Sequence, residues 1–235
     1  MSQEPRSKIE NPKSQIPSPK SWGLYLVTDR RQTGGRDLVE VAREALRGGV
    51  RAIQLREKDL TTRELYRLAE TLLIATREAG AALLINDRVD VAMAVSADGV
   101  HLRRQSLPPR EARELLGPGK LIGTSCHSTA DVREATEAGV DFAVLGPIFE
   151  TPSKMLYGPP LTTAVLREAR AATPLPILAI GGIKQAQVGD VMAAGADGIA
   201  VISAVMSASD PASAASELLA AWRRATGQSR PWRDN

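Results

Sequence analysis

Eight short apolar runs alternate with longer stretches whose apolar residues recur at helical spacing. The runs cover residues 24–28, 52–55, 82–85, 99–102, 121–125, 142–146, 177–180 and 198–203. They are apolar on consecutive rather than alternate residues. That is the signature of strands covered on both faces, as in a parallel sheet wrapped by helices. Asp37-x-x-Glu40, Thr61-x-x-Glu64 and Ser128-x-x-Asp131 read as capping boxes or close variants that start three of the helices. One helix is expected to end at Gly80. Another, over 106–117, carries paired prolines near its first turn, where a helix accepts them.

A phrase recurs at the junctions. Gly48-Gly49-Val50-Arg51-Ala52, Ala79-Gly80-Ala81-Ala82, Ala138-Gly139-Val140-Asp141-Phe142 and Ala194-Gly195-Ala196-Asp197-Gly198 each close a helix and open a strand. A glycine there supplies the left-handed residue that ends the helix. The phrases are spaced by one or two βα units of about 30 residues. Eight such units with right-handed crossovers close into a single-domain α/β (β/α)8 TIM barrel, predicted over 21–228. An open doubly wound sheet is the competing fold, but no glycine-rich dinucleotide fingerprint follows the first strand. Residues 1–20, rich in Pro, Ser, Lys and Gln, read as a disordered arm, and 229–235 as a C-terminal tail.

Composition removes several function classes. The net charge is +3, and Arg6, Lys8, Lys13 and Lys20 of the arm outnumber its Glu4 and Glu10. The barrel itself is therefore near neutral. With only 3% aromatic residues and no basic cluster interleaved with them, nucleic acid is not an expected partner. No apolar run approaches the roughly 18 residues of a membrane span, and the first residues lack a signal-peptide core. The lone Cys126 rules out an internal disulfide and fits a cytoplasmic location.

In a barrel, chemistry collects where strands end at the C-terminal face. Val27-Thr28-Asp29-Arg30 follows the first strand, and Gln54-Leu55-Arg56-Glu57-Lys58 the second. The latter puts two cations and a carboxylate within five residues, a clamp for an anion or a solvated loop. Asn86-Asp87-Arg88 follows the third: an amide that can read a heterocycle edge beside a carboxylate that can hold Mg²⁺, or a pair that caps the helix after it. Ser125-Cys126-His127-Ser128 follows the fifth. His127 is a candidate general acid or base or a structural histidine; His101 leans to a structural part and Cys126 to packing. Gly146-Pro147-Ile148-Phe149-Glu150-Thr151-Pro152-Ser153-Lys154 opens the longest loop, a candidate lid, with hydroxyls two apart and a Lys suited to phosphate. Gly181-Gly182-Ile183 and Val201-Ile202-Ser203 follow strands seven and eight, the usual phosphate site of such barrels.

Taken together and in order, these stretches resemble the thiamine-phosphate synthase family. The residues that carry the likeness are Tyr25-Leu26-Val27-Thr28-Asp29, Gln54-Leu55-Arg56-Glu57-Lys58, Ile85-Asn86-Asp87, Gly99-Val100-His101-Leu102, Gly146-Pro147-Ile148-Phe149, Thr151-x-Ser153-Lys154, Ile180-Gly181-Gly182-Ile183 and Ala194-Gly195-Ala196-Asp197-Gly198. The resemblance implies a transferase of thiamine biosynthesis that joins hydroxymethylpyrimidine diphosphate to a thiazole phosphate and releases pyrophosphate. By similarity, Gln54, Arg56 and Lys58 would hold the pyrimidine diphosphate, within the run that also contains Leu55 and Glu57. Asn86 would meet the pyrimidine, Lys154 the diphosphate, and Ser125 the same substrate. Asp87 would bind Mg²⁺. Thr151, Ser153, Gly182, Ile202 and Ser203, with Pro152 between the hydroxyls, would hold the thiazole phosphate. Arg56, Lys58 and Lys154 are the residues expected to act on the reacting groups of the synthase, and His127 is the candidate catalytic base of the tautomerase alternative below.

One stretch departs from that family. After the fourth strand its members usually show Gly-Gln-x-Asp, whose Asp is a second Mg²⁺ ligand; here the positions are Arg103-Arg104-Gln105-Ser106. Two other readings follow. The thiazole tautomerases share the barrel and would use His127 as base, and Ser125-Cys126-His127-Ser128 and Phe149-Glu150-Thr151 resemble them equally. A non-catalytic binding or regulatory protein of the same pathway would keep the phosphate cup and lose catalytic ligands.

Overall fold

The computed structural model describes residues 16–151 and 159–228. Eight parallel strands, in sequence order, close on themselves. They are β1 (Leu24–Val27), β2 (Ala52–Leu55), β3 (Ala82–Asn86), β4 (Gly99–Leu102), β5 (Leu121–Cys126), β6 (Phe142–Leu145), β7 (Ile177–Ile180) and β8 (Gly198–Val201). The ring shuts where Leu24 pairs with Ile199 and Leu26 with Val201. Helices α1 (Leu38–Arg47), α2 (Thr62–Glu78), α3 (Val89–Val95), α4 (Pro109–Leu116), α5 (Thr129–Glu137), α6 (Thr162–Ala172), α7 (Val188–Ala193), α8 (Ser203–Met206) and α9 (Pro211–Thr226) form the outer layer. No helix among the described residues is long and apolar enough to cross a membrane.

The predicted strands stand, with ends shifted by a residue or two. The largest change is at β8, where Ile202 takes φ −116 and ψ −85, so that Ser203 opens the short helix α8 instead of extending the strand. Thr61 and Glu64 form a full capping box. Asp37 caps α1 by accepting from Val39 and Glu40, and Ser128 caps α5 through Asp131. The junction glycines Gly49, Gly80, Gly139 and Gly195 all have positive φ, as their role at helix ends requires.

Alternation along each strand divides the core. Leu26, Ile53, Leu83, Ile85 and their neighbours face the helices, while Tyr25, Ala52, Ala82, Leu84, Phe142, Val144, Leu178 and Ala200 fill the barrel. At the N-terminal end of the strands the filling is aromatic. Trp22 stacks on Tyr25 and meets Phe142 edge-on at 5.1 Å. Phe142 lies against β5 at Gly123, where an added Cβ would fall 2.2 Å from the ring. Within the predicted arm, residues 16–20 belong to this floor: Ile16 packs on the aromatic cluster, and Trp22 Nε1 donates to Pro17 O at 2.8 Å.

Three aspartates tie strands in pairs. Asp98 before β4, Asp141 before β6 and Asp197 before β8 each accept through Oδ2 from a backbone N–H on the preceding strand: Leu83, Ile122 and Ile177. Each also donates its own N–H to that residue's carbonyl. Arg113 and Arg170 hold Asp141 and Asp197 from outside. Removing such an acceptor leaves a buried donor without a partner, which costs about 1–3 kcal/mol. Asp197→Ala is expected to lower stability in urea by about 2 kcal/mol. Asp197→Asn should cost less, because its amide oxygen still accepts from Ile177. Equal losses in the two variants would sink this brace.

Candidate active site

Because the strands are parallel and closed, the loops after all eight open on one mouth. Above the aromatic floor the barrel interior turns polar. Buried Gln54 donates Nε2 to the Tyr25 hydroxyl at 3.2 Å. Also against Tyr25 and Phe142, His101 is 2% exposed and its Nε2 lies 3.0 Å from Ser125 Oγ. Burial, with a smaller contribution from the Arg56 charge, pushes the imidazole down to about 3, so His101 is neutral at working pH. This accords with a structural part for His101, and it occupies the predicted ligand Ser125. Cys126 is buried and its thiol is pushed up to about 12 by burial, which leaves it inert.

The β2 run separates its residues by strand alternation. Leu55 faces outward. Arg56 is half-buried above Gln54; burial and the nearby Arg103 lower its pKa, opposed by Asp29 and Glu57. Lys58 is exposed. Glu57 is buried and turned to the β1 loop, where it accepts from Thr28 Oγ1 at 2.7 Å and from the backbone N–H of Arg30. Arg30 also pairs with Glu57 and Asp59 through its guanidinium. Thr28 Oγ1 in turn accepts from Arg56 N at 2.9 Å. Glu57 therefore locks the β1 and β2 loops together and presents Arg56. The motif signalled an anion clamp, but only tertiary contacts reveal this bracing carboxylate.

Between the β2, β3 and β4 loops lies a cavity of about 300 Å³ lined by Glu57, Lys58, Asn86, Asp87, Arg88 and Arg103, with Leu55, Leu60 and Leu65 as its apolar wall. Asp87 has φ +65, a left-handed conformation that Asp tolerates better than most side chains. Its carboxylate is held below the usual range. Burial acts the other way, but the Ser106 hydroxyl and the Arg103 and Arg88 charges outweigh it. Arg103 Nη2 donates directly to Asp87 Oδ2. The Ser106 hydroxyl also accepts from Arg103 N at 2.8 Å. A cleft of about 350 Å³ between the C-terminal ends of α1 and α2, lined by Arg43, Arg47, Arg51 and Glu78, lies at the opposite end of the barrel from this mouth.

On the far side of β1, Gly181 and Gly182 both have positive φ. A Cβ on Gly182 would stand 2.4 Å from Glu150 O, so only glycine fits this close approach to the β6 loop. Beside it, α8 begins at Ser203, and the first N–H groups of a helix have no partner inside it. Adjacent glycines after β7 and a short helix start after β8 form a glycine cup, at the place where barrels of this fold commonly receive phosphate. Thr151 is half-buried at the rim; Pro152, Ser153 and Lys154 lie outside the described residues. His127 is exposed at the end of β5. Its Nδ1 is 2.6 Å from Gly146 O, a group that only accepts, so Nδ1 carries the proton and Nε2 the lone pair when the ring is neutral.

The fold is that of a single-domain (β/α)8 barrel whose strand-end loops gather on one mouth. Residues 24–205 match the family model described as thiamine monophosphate synthase, and the chain belongs to that family. It is 47% identical over 207 residues to the thiamine-phosphate synthase of Moorella thermoacetica, covering 88% of this chain and 99% of that protein. It is 48% identical over 197 residues to the thiamine-phosphate synthase of Methanoculleus marisnigri, covering 84% and 93%. The solved thiamine phosphate pyrophosphorylase of Pyrococcus furiosus superposes with a TM-score of 0.80 at 40% identity, covering 88% of this chain and 98% of that one.

The buried neutral His101 has a pH consequence. Its folded pKa of about 3 lies below the ordinary 6.5, so the unfolded chain binds the extra proton first as pH falls. Its contribution to stability is complete above 6.5 and is lost as pH drops towards 3. The urea midpoint of His101→Leu should therefore fall less steeply than wild type between pH 7 and 4. Parallel pH profiles would contradict this.

Proposed function

We propose that the protein is a thiamine-phosphate synthase: a Mg²⁺-dependent transferase, acting in the cytoplasm, that joins hydroxymethylpyrimidine diphosphate to thiazole phosphate. One observation carries the reading. A cavity after β2–β4 lined by Lys58, Arg88 and Arg103 with Glu57 and Asp87, and a glycine cup after β7 and β8, both lie at the C-terminal ends of the strands, in a chain whose relatives of nearly equal length are thiamine-phosphate synthases.

In this reading the bond from the pyrimidine methylene to the diphosphate oxygen breaks, and its electron pair leaves with the diphosphate. The thiazole nitrogen lone pair then forms the new C–N bond, giving thiamine phosphate and pyrophosphate. Arg56 and Lys58, with Lys154 from the β6 loop, hold the oxygens on which charge develops. Arg56 acts strongly because it is partly desolvated and already fixed by Thr28 and Glu57. Gln54 and Asn86 read the pyrimidine, and Ser125 faces the same substrate. Gly182, Ile202 and Ser203 bind the thiazole phosphate together with the Thr151-Pro152-Ser153 edge.

Mg²⁺ is met by one or two carboxylates plus substrate phosphates. Asp87, with the Ser106 hydroxyl near it, fits a minimal site of that kind. No group of three His, Cys, Asp or Glu gathers among the described residues. When bound there, the ion would neutralise charge on the leaving diphosphate.

The tautomerase reading has one observation in its favour, the Nε2 lone pair that the His127–Gly146 hydrogen bond leaves free. Incubation with both synthase substrates and Mg²⁺ decides between the readings. Thiamine phosphate and pyrophosphate are expected in equal amounts; a protein that makes neither is not a synthase. Gly182→Ala should raise KM for the thiazole phosphate about tenfold, a loss of about 1.4 kcal/mol, with a smaller change for the pyrimidine substrate.

His127→Ala separates the two activities. It should leave synthase turnover near wild type. A positioned base is worth about 10²–10⁴-fold, so a proton-shift activity that falls by that much in the same variant would instead support the tautomerase.

A further inference from the structure

We propose that Arg103 is a substrate-binding residue: its guanidinium, parked on Asp87, turns onto the incoming diphosphate and supplies positive charge to it. The inference rests on the synthase reading for the identity of the anion. The contact between arginine and diphosphate is tested apart from it.

Charge and position argue together. Arg103 and Ser106 stand three residues apart on the loop after β4. Arg103 stands in the wall of the 300 Å³ cavity with Lys58 and Arg88. Ser106 accepts from its backbone N–H and so pins the loop that carries it. Arg103 thus presents a cation in that wall, and Ser106 serves as its support.

The pairing with Asp87 is suited to exchange. The guanidinium is 40% exposed and the carboxylate 27%. Ion pairs with this access to water are worth about 0–1 kcal/mol. A phosphoryl group offers an arginine two parallel charge-assisted hydrogen bonds, which are roughly twice as strong as neutral ones. Arg103 also has an unmet need: its Nε is buried and has no hydrogen-bond partner among the described residues. The Arg103 charge disfavours that of Arg56 nearby. A ligand with several negative charges relieves both, by giving the orphaned donor side an acceptor and by standing between two cations. Turning away from Asp87 at the same moment frees that carboxylate.

The probe is inorganic pyrophosphate, titrated calorimetrically into the full chain in EDTA. Wild type is expected to bind without a metal ion. Arg103→Gln should weaken binding about tenfold or more, the value of one hydrogen bond to a charged group. Arg104→Gln, one residue along and exposed, should bind as wild type. The double variant Arg103→Gly with Ser106→Asp should bind poorly in EDTA and recover when Mg²⁺ is added. Unchanged affinity in Arg103→Gln, or a wild type that binds pyrophosphate only with Mg²⁺, overturns the proposal. Circular dichroism and urea midpoints on each variant separate lost binding from lost folding. If wild type binds pyrophosphate through Arg103 yet makes no thiamine phosphate, the synthase reading fails and the part assigned to Arg103 stands. Thiamine phosphate formation with no effect of Arg103→Gln on affinity is the reverse.

Discussion

Pairing of β8 with β1, from Leu24–Ile199 to Leu26–Val201, closes the barrel, and the mouth depends on that closure. Once the sheet has no edge, alternate residues of eight strands share one interior. The floor of that interior is fixed by Trp22, Tyr25 and Phe142, with Gly123 making room for the last ring. Polar residues above it cannot reach water and must satisfy one another. Gln54 does so with Tyr25, and His101 does so at Nε2 with Ser125, while its buried Nδ1 has no partner among the described residues. The site therefore begins inside the barrel as hydrogen-bonded pairs, with Arg56 above them fixed through Thr28.

How far this was legible in the sequence depended on the range of the signal. Consecutive apolar runs marked the strands because burial on both faces leaves no polar alternation. Glycines at 49, 80, 139 and 195 marked helix ends because positive φ is a local demand. Partners chosen across the fold were not legible. Asp141 and Asp197 stood in the repeated phrase and passed as junction residues, yet they accept from strands about twenty residues back. Glu57 looked like part of an anion clamp because its neighbours are Arg and Lys, and only the β1 loop shows which donors claim it. Ser203 read as a strand end because Gly198 to Ser203 is apolar almost throughout; the turn at Ile202 is set by backbone angles that pattern does not encode.

Cations at the mouth are held by different means. Arg30 is fixed by Glu57 and Asp59, and Arg88 by Asp90. These pairs are structural, and their charges are largely spent on their partners. Arg56 differs, since its backbone is fixed through Thr28 while its side chain is desolvated beside Arg103. Positive potential is thus concentrated between the β2 and β4 loops, where a multiply charged ligand gains most.

His101 makes the same point from beneath. The ring is buried among Tyr25, Phe142 and Ser125, and Arg56 contributes to keeping it neutral. A protonated imidazole there would add a third cation under the two arginines and lose solvation with no carboxylate in direct contact. Kept neutral, it can accept from or donate to the Ser125 hydroxyl without altering the charge of the mouth. The interior thus supplies hydrogen bonding, while the field comes from the arginines above it. A substitution that recharged this layer would weaken Arg56 without touching it.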